Sequence, residues 1–227
     1  MTMEKERQLL IVYPHPDDES FSVAGVAAMQ ADMGVPVTYA CLTLGEMGRN
    51  LGNPPFATRE SLPHIRKKEL IAACEAIGIQ DLRMMGLRDK TVEFEDDEKM
   101  IAMMRQLIDE LNPSLVVTFL PNYCVHPDHE ATARAVKEAV RRTPKPQRPT
   151  LYGVGFANNT VEEMGEPDVI IDISAYREHK YNALKAHASQ TGWMLQELEN
   201  REDSHGETTE DAWFSTEKFY TITFDDE

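Results

Sequence analysis

The apolar run Leu9-Leu10-Ile11-Val12 leads straight into Tyr13-Pro14-His15-Pro16-Asp17-Asp18-Glu19, and this junction constrains the fold more than any other stretch. Consecutive branched apolar residues read as a buried strand. Two prolines within four residues then stop strand and helix alike. Helix-like composition follows from Ser20 to about Met33. One imidazole and three carboxylates therefore occupy a strand-to-helix turn at the carboxyl end of a core strand, where open α/β sheets bind ligands. A second cluster, His126-Pro127-Asp128-His129-Glu130, follows the apolar run Leu115-Val116-Val117-Thr118-Phe119. The two read as halves of one metal site.

Strand-like and helix-like segments alternate along the rest of the chain. Strands are expected at 35–43, near 82–85, and at 114–119, 151–154, 169–173 and 219–224. Helices are expected at 64–76, 97–111, 130–142 and 175–187, the last continuing towards 198. Residues 44–63 are rich in glycine and proline, and a loop of roughly twenty residues in a compact domain is usually functional. The proline-rich stretch 143–149 reads as a stiff linker inside the domain, because strand-like sequence resumes at Leu151. The acidic, polar segment 199–211 reads as a loop. The pattern predicts a single α/β domain over 1–227, Rossmann-like, with a mostly parallel sheet and helices on both faces. In such a doubly wound sheet strands one and four are neighbours where the strand order reverses. Those two strands carry the histidine clusters.

Composition narrows the partners. A net charge of -16 argues against nucleic acid, whose phosphates need a basic surface. No run approaches the ~20 apolar residues of a membrane span. The amino-terminal residues lack a signal-peptide pattern. Cys41, Cys74 and Cys124 are widely spaced and form no C-x-x-C pair, which suits a reducing cytoplasm and offers no sulfur metal site.

The chemistry lies in the spacing. His15 and Asp18 are three apart, as are His126 and His129, so each pair projects from one side of a helical turn. Two or three imidazoles with one carboxylate and no thiolate suit Zn²⁺ in an open catalytic site. A carboxylate outside the ligand set must accept a proton from the attacking water, and Asp17 is the candidate. Asp128 is a candidate to orient a histidine. Spacing alone does not choose between His126 and His129 as ligand. The plainer reading makes the acidic residues helix caps, which Asp128 and Glu130 fit. Two chemically alike clusters, each after a core strand, exceed what capping explains.

His15-Pro16-Asp17-Asp18-Glu19 together with His126-Pro127-Asp128-His129 resembles the LmbE-like (PIG-L) family of zinc-dependent N-acetylglucosaminyl deacetylases, and within it the bacillithiol-biosynthesis branch. Thr43-Leu44-Gly45-Glu46-Met47-Gly48, Arg66-Lys67-Lys68-Glu69-Leu70 and His187-Ala188-Ser189-Gln190 add weaker matches in the same order. The resemblance implies His15, Asp18 and His129 as ligands of one Zn²⁺ per chain, with Asp17 as general base. His126 would then stabilise the oxyanion as an imidazolium or protonate the leaving amine, with Asp128 fixing it. Arg66 is expected to meet a substrate carboxylate, such as that of a malate aglycone. Arg49, Asn50, Glu46 and His187 are weaker substrate candidates, and Glu46 fits bracing of its loop as well. The implied substrate is a small N-acetylated amino sugar, most specifically N-acetylglucosaminyl malate. A broader amidase on other N-acetyl sugars, or a zinc-dependent sugar binder without turnover, are the competing readings. By analogy the chain is expected to form a homo-oligomer, a trimer or hexamer.

Overall fold

The computed structural model describes residues 3–202 and 213–224. Its strands are β1 (Leu9–Tyr13), β2 (Val37–Cys41), β3 (Asp81–Met84), β4 (Leu115–Phe119), β5 (Thr150–Val154), β6 (Val169–Asp172) and β7 (Thr216–Thr221). They form one sheet in the order β3-β2-β1-β4-β5-β7-β6. The pairs from β3 to β5 are parallel, and β7 runs antiparallel to both β5 and β6. This is the mostly parallel, Rossmann-like architecture that the alternation of elements predicts.

Every residue of β1, β2 and β4 is buried, which is why these strands read as unbroken apolar runs rather than alternating ones. Leu9, Ile11 and Tyr13 face one core with helices α2 (Ala24–Asp32), α3 (Leu62–Ile77) and α7 (Arg177–Ala186). Leu10 and Val12 face the other with α4 (Asp97–Leu111) and α5 (Pro127–Arg141). Strands β1 and β4 pair directly, Leu9 beside Leu115 and Ile11 beside Val117. Both histidine clusters therefore leave the sheet side by side.

The structure departs from the sequence reading in several places. The first helix is broken at Val23 (φ -146°) into α1 (Asp18–Ser22) and α2. The restart is possible because the Glu217 carboxylate of β7 accepts the N–H groups of Gly25 and Val26, at 3.0 and 2.8 Å. Helix α5 starts at Pro127, which puts the second histidine cluster on its first turn as expected, since proline's fixed φ suits the first helical position. The long helix expected from 175 towards 198 breaks at His187 into α7 and α8 (Ala188–Glu202). The last strand begins at Thr216 and ends at Thr221, and a short helix α6 (Thr160–Met164) precedes β6. Residues 199–202 of the expected acidic loop belong to α8, and 203–211 lie outside the described residues. Among the described residues no helix is long and apolar enough to cross a membrane.

Candidate active site

The turn after β1 brings its polar groups to the sheet edge under strain. Asp17 has φ 96° and ψ -29°, a left-handed conformation that a residue with a Cβ adopts at a cost of roughly 1–3 kcal/mol. Its neighbours hold the turn from several sides. The Tyr39 hydroxyl donates to the His15 carbonyl at 2.9 Å, and the Thr43 hydroxyl donates to the Pro14 carbonyl at 2.8 Å. The Asp17 N–H donates to Glu19 Oε2 at 3.1 Å, and the Asp18 carboxylate accepts the His15 N–H at 2.8 Å.

The turn after β4 is an orthodox helix start. His126 is the N-cap of α5, and its Nδ1 accepts the Asp128 N–H at 3.1 Å. The cap therefore leaves the proton of the neutral ring on Nε2, pointing its donor away from the helix. His129, one turn further on, stacks on Phe119 with ring centroids 4.0 Å apart.

The two turns converge on His15, whose ring nitrogens do different work. Nδ1 lies 3.1 Å from His129 Nε2 and 3.5 Å from Asp18 Oδ2, while His129 Nε2 lies 3.4 Å from Asp18 Oδ1. A tetrahedral zinc with bonds near 2.0–2.1 Å separates its ligand atoms by about 3.3–3.4 Å, and each of these three separations is close to that value, the two to Asp18 ending on different oxygens of its carboxylate. On the far side, His15 Nε2 lies 3.2 Å from Asp89 Oδ1 and 3.4 Å from Asp128 Oδ2. Those carboxylates are occupied by backbone donors as well: the Met47 N–H on Asp89 at 2.7 Å, and the Lys90 and Glu93 N–H groups on Asp128 at 2.7 and 3.3 Å. A histidine gripped at one nitrogen by carboxylates and open at the other is the usual arrangement of a metal-bound imidazole. Two groups have the spacing to hold an ion: His15 with His126 and His129, and His15 with Asp89 and Asp128. The Nε2–H of His15, shared between Asp89 and Asp128, accounts for the second without a metal.

Electrostatics point the same way. Asp18, Asp89 and Asp128 crowd one buried imidazole. Burial opposes charge on His15, yet Asp128, Asp18 and Asp89 together hold its pKa well above the ordinary value. Burial pushes Asp89 up, but the His15 ring and the Met47 N–H outweigh it and hold the carboxyl at about 2. Burial, followed in effect by the neighbouring His15 and His126, brings His129 down to about 4 against the pull of Asp18, so it offers a lone pair at neutral pH. Buried carboxylates gathered around His15, beside a His129 that stays neutral, form a surplus of negative charge of the kind that a divalent cation completes.

The expected residues divide between the cleft and its supports. His15, Asp17, Asp18, His126 and His129 line a cleft of about 410 Å³, with Arg49, Lys90, Met47 and Val125 at its margins. Burial lifts the Asp17 carboxyl to about 6 against the opposing effect of Arg66. Arg66 itself is only 3% exposed. Its guanidinium donates to Asp17 Oδ2 at 2.8 Å, to the Gly45 carbonyl at 3.0 Å and to the Pro16 carbonyl, so at the cleft wall it braces the Asp17 carboxylate and the turn around it. Gly45 (φ 61°) lies so close that a Cβ there would overlap the guanidinium, which explains a glycine at that point of the loop.

Asp128 is likewise reassigned: its carboxylate faces His15, and only its N–H meets His126. The imidazolium expected at His126 is disfavoured, first by burial and then by His15. A neutral donor through Nε2–H replaces it. Glu46 braces its loop by accepting the Asp89 N–H at 3.1 Å, and the Asn50 side chain donates to the Gln190 carbonyl at 3.1 Å. His187 is completely buried against Glu19, outside the cleft. Arg49 is exposed on the rim. Sequence reading missed Asp89 and Lys90. They lie in the loop after β3 at no telling distance from any histidine, and no local signal marks them.

A sheet edge with paired histidine turns, an Asp-rich group of possible metal ligands and an adjacent half-buried carboxylate defines a class before it defines a substrate. Residues 10–140 match the PIG-L family, described as GlcNAc-PI de-N-acetylase, and the chain belongs to that family. Over 224 residues it is 52% identical to the probable N-acetyl-alpha-D-glucosaminyl L-malate deacetylase 2 of Bacillus anthracis, covering 99% of both chains. Among solved structures it resembles N,N'-diacetylchitobiose deacetylase from Pyrococcus horikoshii, with TM-score 0.70 and 24% identity over 96% of this chain and 84% of that one. The 4-carboxy-2-hydroxymuconate hydratase of Pseudomonas putida gives TM-score 0.72 at 19% identity, over 96% of each chain. These two structural likenesses speak for the fold alone, which serves more than one reaction.

Proposed function

We propose that the chain is a single-domain zinc-dependent N-deacetylase whose substrate is N-acetylglucosaminyl malate. The reading assigns His15 Nδ1, Asp18 and His129 Nε2 to one zinc ion and Asp17 to the role of general base. The name of the 52% identical relative supports the substrate. The observation that carries the reaction is Asp17: a half-buried carboxyl, held at Oδ2 by Arg66, that lines the cleft beside the proposed ligands without belonging to them.

Bound zinc supplies Lewis-acid polarisation of the acetyl carbonyl and lowers the pKa of a coordinated water to about 7. Asp17 does the proton work. Its Oδ2 is held by Arg66, which leaves Oδ1 to take a proton from water as the new C–O bond forms. The Nε2–H of His126 donates to the developing oxyanion. The same proton then passes from Asp17 to the amide nitrogen, the C–N bond breaks, and the free amine leaves with acetic acid, whose remaining proton is lost to solvent to give acetate. Arg49 and Lys90 on the rim offer positive charge to the carboxylates of the aglycone.

The test is amine release by the purified protein with one equivalent of zinc, on N-acetylglucosaminyl malate and on N-acetylglucosamine in parallel. Release from the malate conjugate is expected, with Asp17→Asn binding zinc normally and losing about 10²–10⁴ in kcat. Metal-loaded protein that releases no amine from either sugar overturns the reading.

A further inference from the structure

Glu19 and His187 are both completely buried, and neither lines the cleft. They nevertheless form the shortest charged contact near the catalytic turn: His187 Nε2 lies 2.7 Å from Glu19 Oε1. The Ser20 hydroxyl donates to the same oxygen at 2.6 Å. The other oxygen, Oε2, is left to a single task, accepting the N–H of Asp17 at 3.1 Å. That N–H belongs to the residue held at φ 96°.

The pair is poorly explained as fold stabilisation. Breaking a buried ion pair is costly, but replacing one with apolar groups of similar volume is often neutral or better. His187 also leaves its Nδ1 buried with no hydrogen-bond partner among the described residues. The helix expected to run through this point is interrupted at His187, between α7 and α8, and the interruption is itself anchored. Glu69 of α3 accepts the Ser189 N–H and hydroxyl, both at 2.7 Å, and the Ser189 carbonyl accepts the Gly52 N–H at 3.0 Å. One turn earlier on α3, Arg66 holds the Asp17 carboxylate. Helix α3 thus grips the base with one residue and the His187 junction with another.

We infer that Glu19 and His187 are positioning residues that fix Asp17 in its left-handed conformation through its N–H, so that the junction between α7 and α8 sets the aim of the base. This inference rests on the assignment of Asp17 as base. A carboxylate free to rotate would surrender the Asp17 N–H, and the turn would relax towards ordinary φ. His187 prevents that by occupying the opposite oxygen.

The test is a double-mutant cycle on kcat with zinc-loaded protein, because residues acting through one group are non-additive. His187→Leu is expected to lower kcat about a hundredfold, as a misaimed catalytic group does, while KM and zinc stoichiometry stay at wild-type values. His187→Gln, which still donates to Glu19, is expected to recover most of the loss. In an Asp17→Asn background His187→Leu should cost nothing further. Losses that multiply in that background, or that fall on KM or zinc content, overturn the inference. Glu19→Gln run through the same cycle gives the same discrimination if the leucine variant does not fold. Wild-type turnover by Asp17→Asn alone would be a different failure, that of the base assignment.

Discussion

The two histidine turns look alike in sequence and are built in opposite ways. The turn after β4 makes itself. His126 caps the helix, Pro127 takes the first helical position, and Asp128 and Glu130 sit in the first turn, where the helix dipole favours them. Val125 beside it is 69% exposed. The turn after β1 is made by others: Tyr39 and Thr43 of the neighbouring strand and loop, Arg66 of α3, and the Glu19–His187 pair. Helix α1 has no side-chain cap at all, since its N-cap residue is Asp17, turned away to other work. Strain of this kind persists only where surroundings over-determine it. The comparison teaches that local helix logic can present a polar ring, whereas a carboxylate held in a strained turn, as the proposed base is, needs tertiary enforcement.

The comparison breaks first at the ligands, where the turns must cooperate. His129→Gln removes a proposed ligand supplied by the self-made turn, and Asp18→Asn removes one from the enforced turn. Both are expected to lose stoichiometric zinc, measured by metal analysis after dialysis, and with it essentially all amine release. If either variant retains one zinc at wild-type affinity, that residue is not a ligand and His126 takes its place. Next in size is His126→Gln. Zinc content should be unchanged and kcat should fall by about 10²–10³, the usual cost of one oxyanion donor. Unchanged kcat would leave His126 as a helix cap and nothing more.

What was legible in the sequence follows the same division. Apolar runs fully buried on both faces are local signals, and they placed β1 and β4 and both clusters correctly. The capping chemistry of α5 is also local, and the i,i+3 spacing put His126 and His129 on one side. The neighbouring of β1 and β4 also brought the two clusters together across more than a hundred residues, because the strand order carries that contact. What the sequence does not mark is the individual side-chain partner supplied from other elements. Asp128 reads from its residue type as a partner for a histidine, and the resemblance names His126; residues two apart on a helix do not face each other, so its carboxylate turns to His15 instead. Asp89 reaches His15 from a loop on the far side of β2 and β3, a contact without any spacing rule. The basic helix face makes Arg66 read as a surface residue, and only the family resemblance implies a substrate role for it. Nothing in Arg66-Lys67-Lys68 tells that one of the three points inward onto a strained carboxylate. The histidine and serine of His187-Ala188-Ser189-Gln190 meet Glu19 and Glu69, and both partners lie more than a hundred residues away.

The smallest expected effect tests how the enforcement of the first turn divides between conformation and charge. Arg66→Met keeps much of the buried stem and removes the guanidinium. Burial raises the Asp17 carboxyl to about 6, and Arg66 is the leading influence in the other direction. Its removal therefore drives the carboxyl further up. A base works only when ionised, so the acid limb of kcat/KM should move to higher pH in the variant, and turnover at neutral pH should fall about tenfold or less. Above the shifted limb, activity should recover towards wild type, because Glu19 and His187 still hold the Asp17 N–H. A pH profile that drops uniformly without moving would mean that Arg66 acts by geometry alone. An increase in KM for the malate conjugate at every pH, with the limb unmoved, would return Arg66 to the substrate carboxylate.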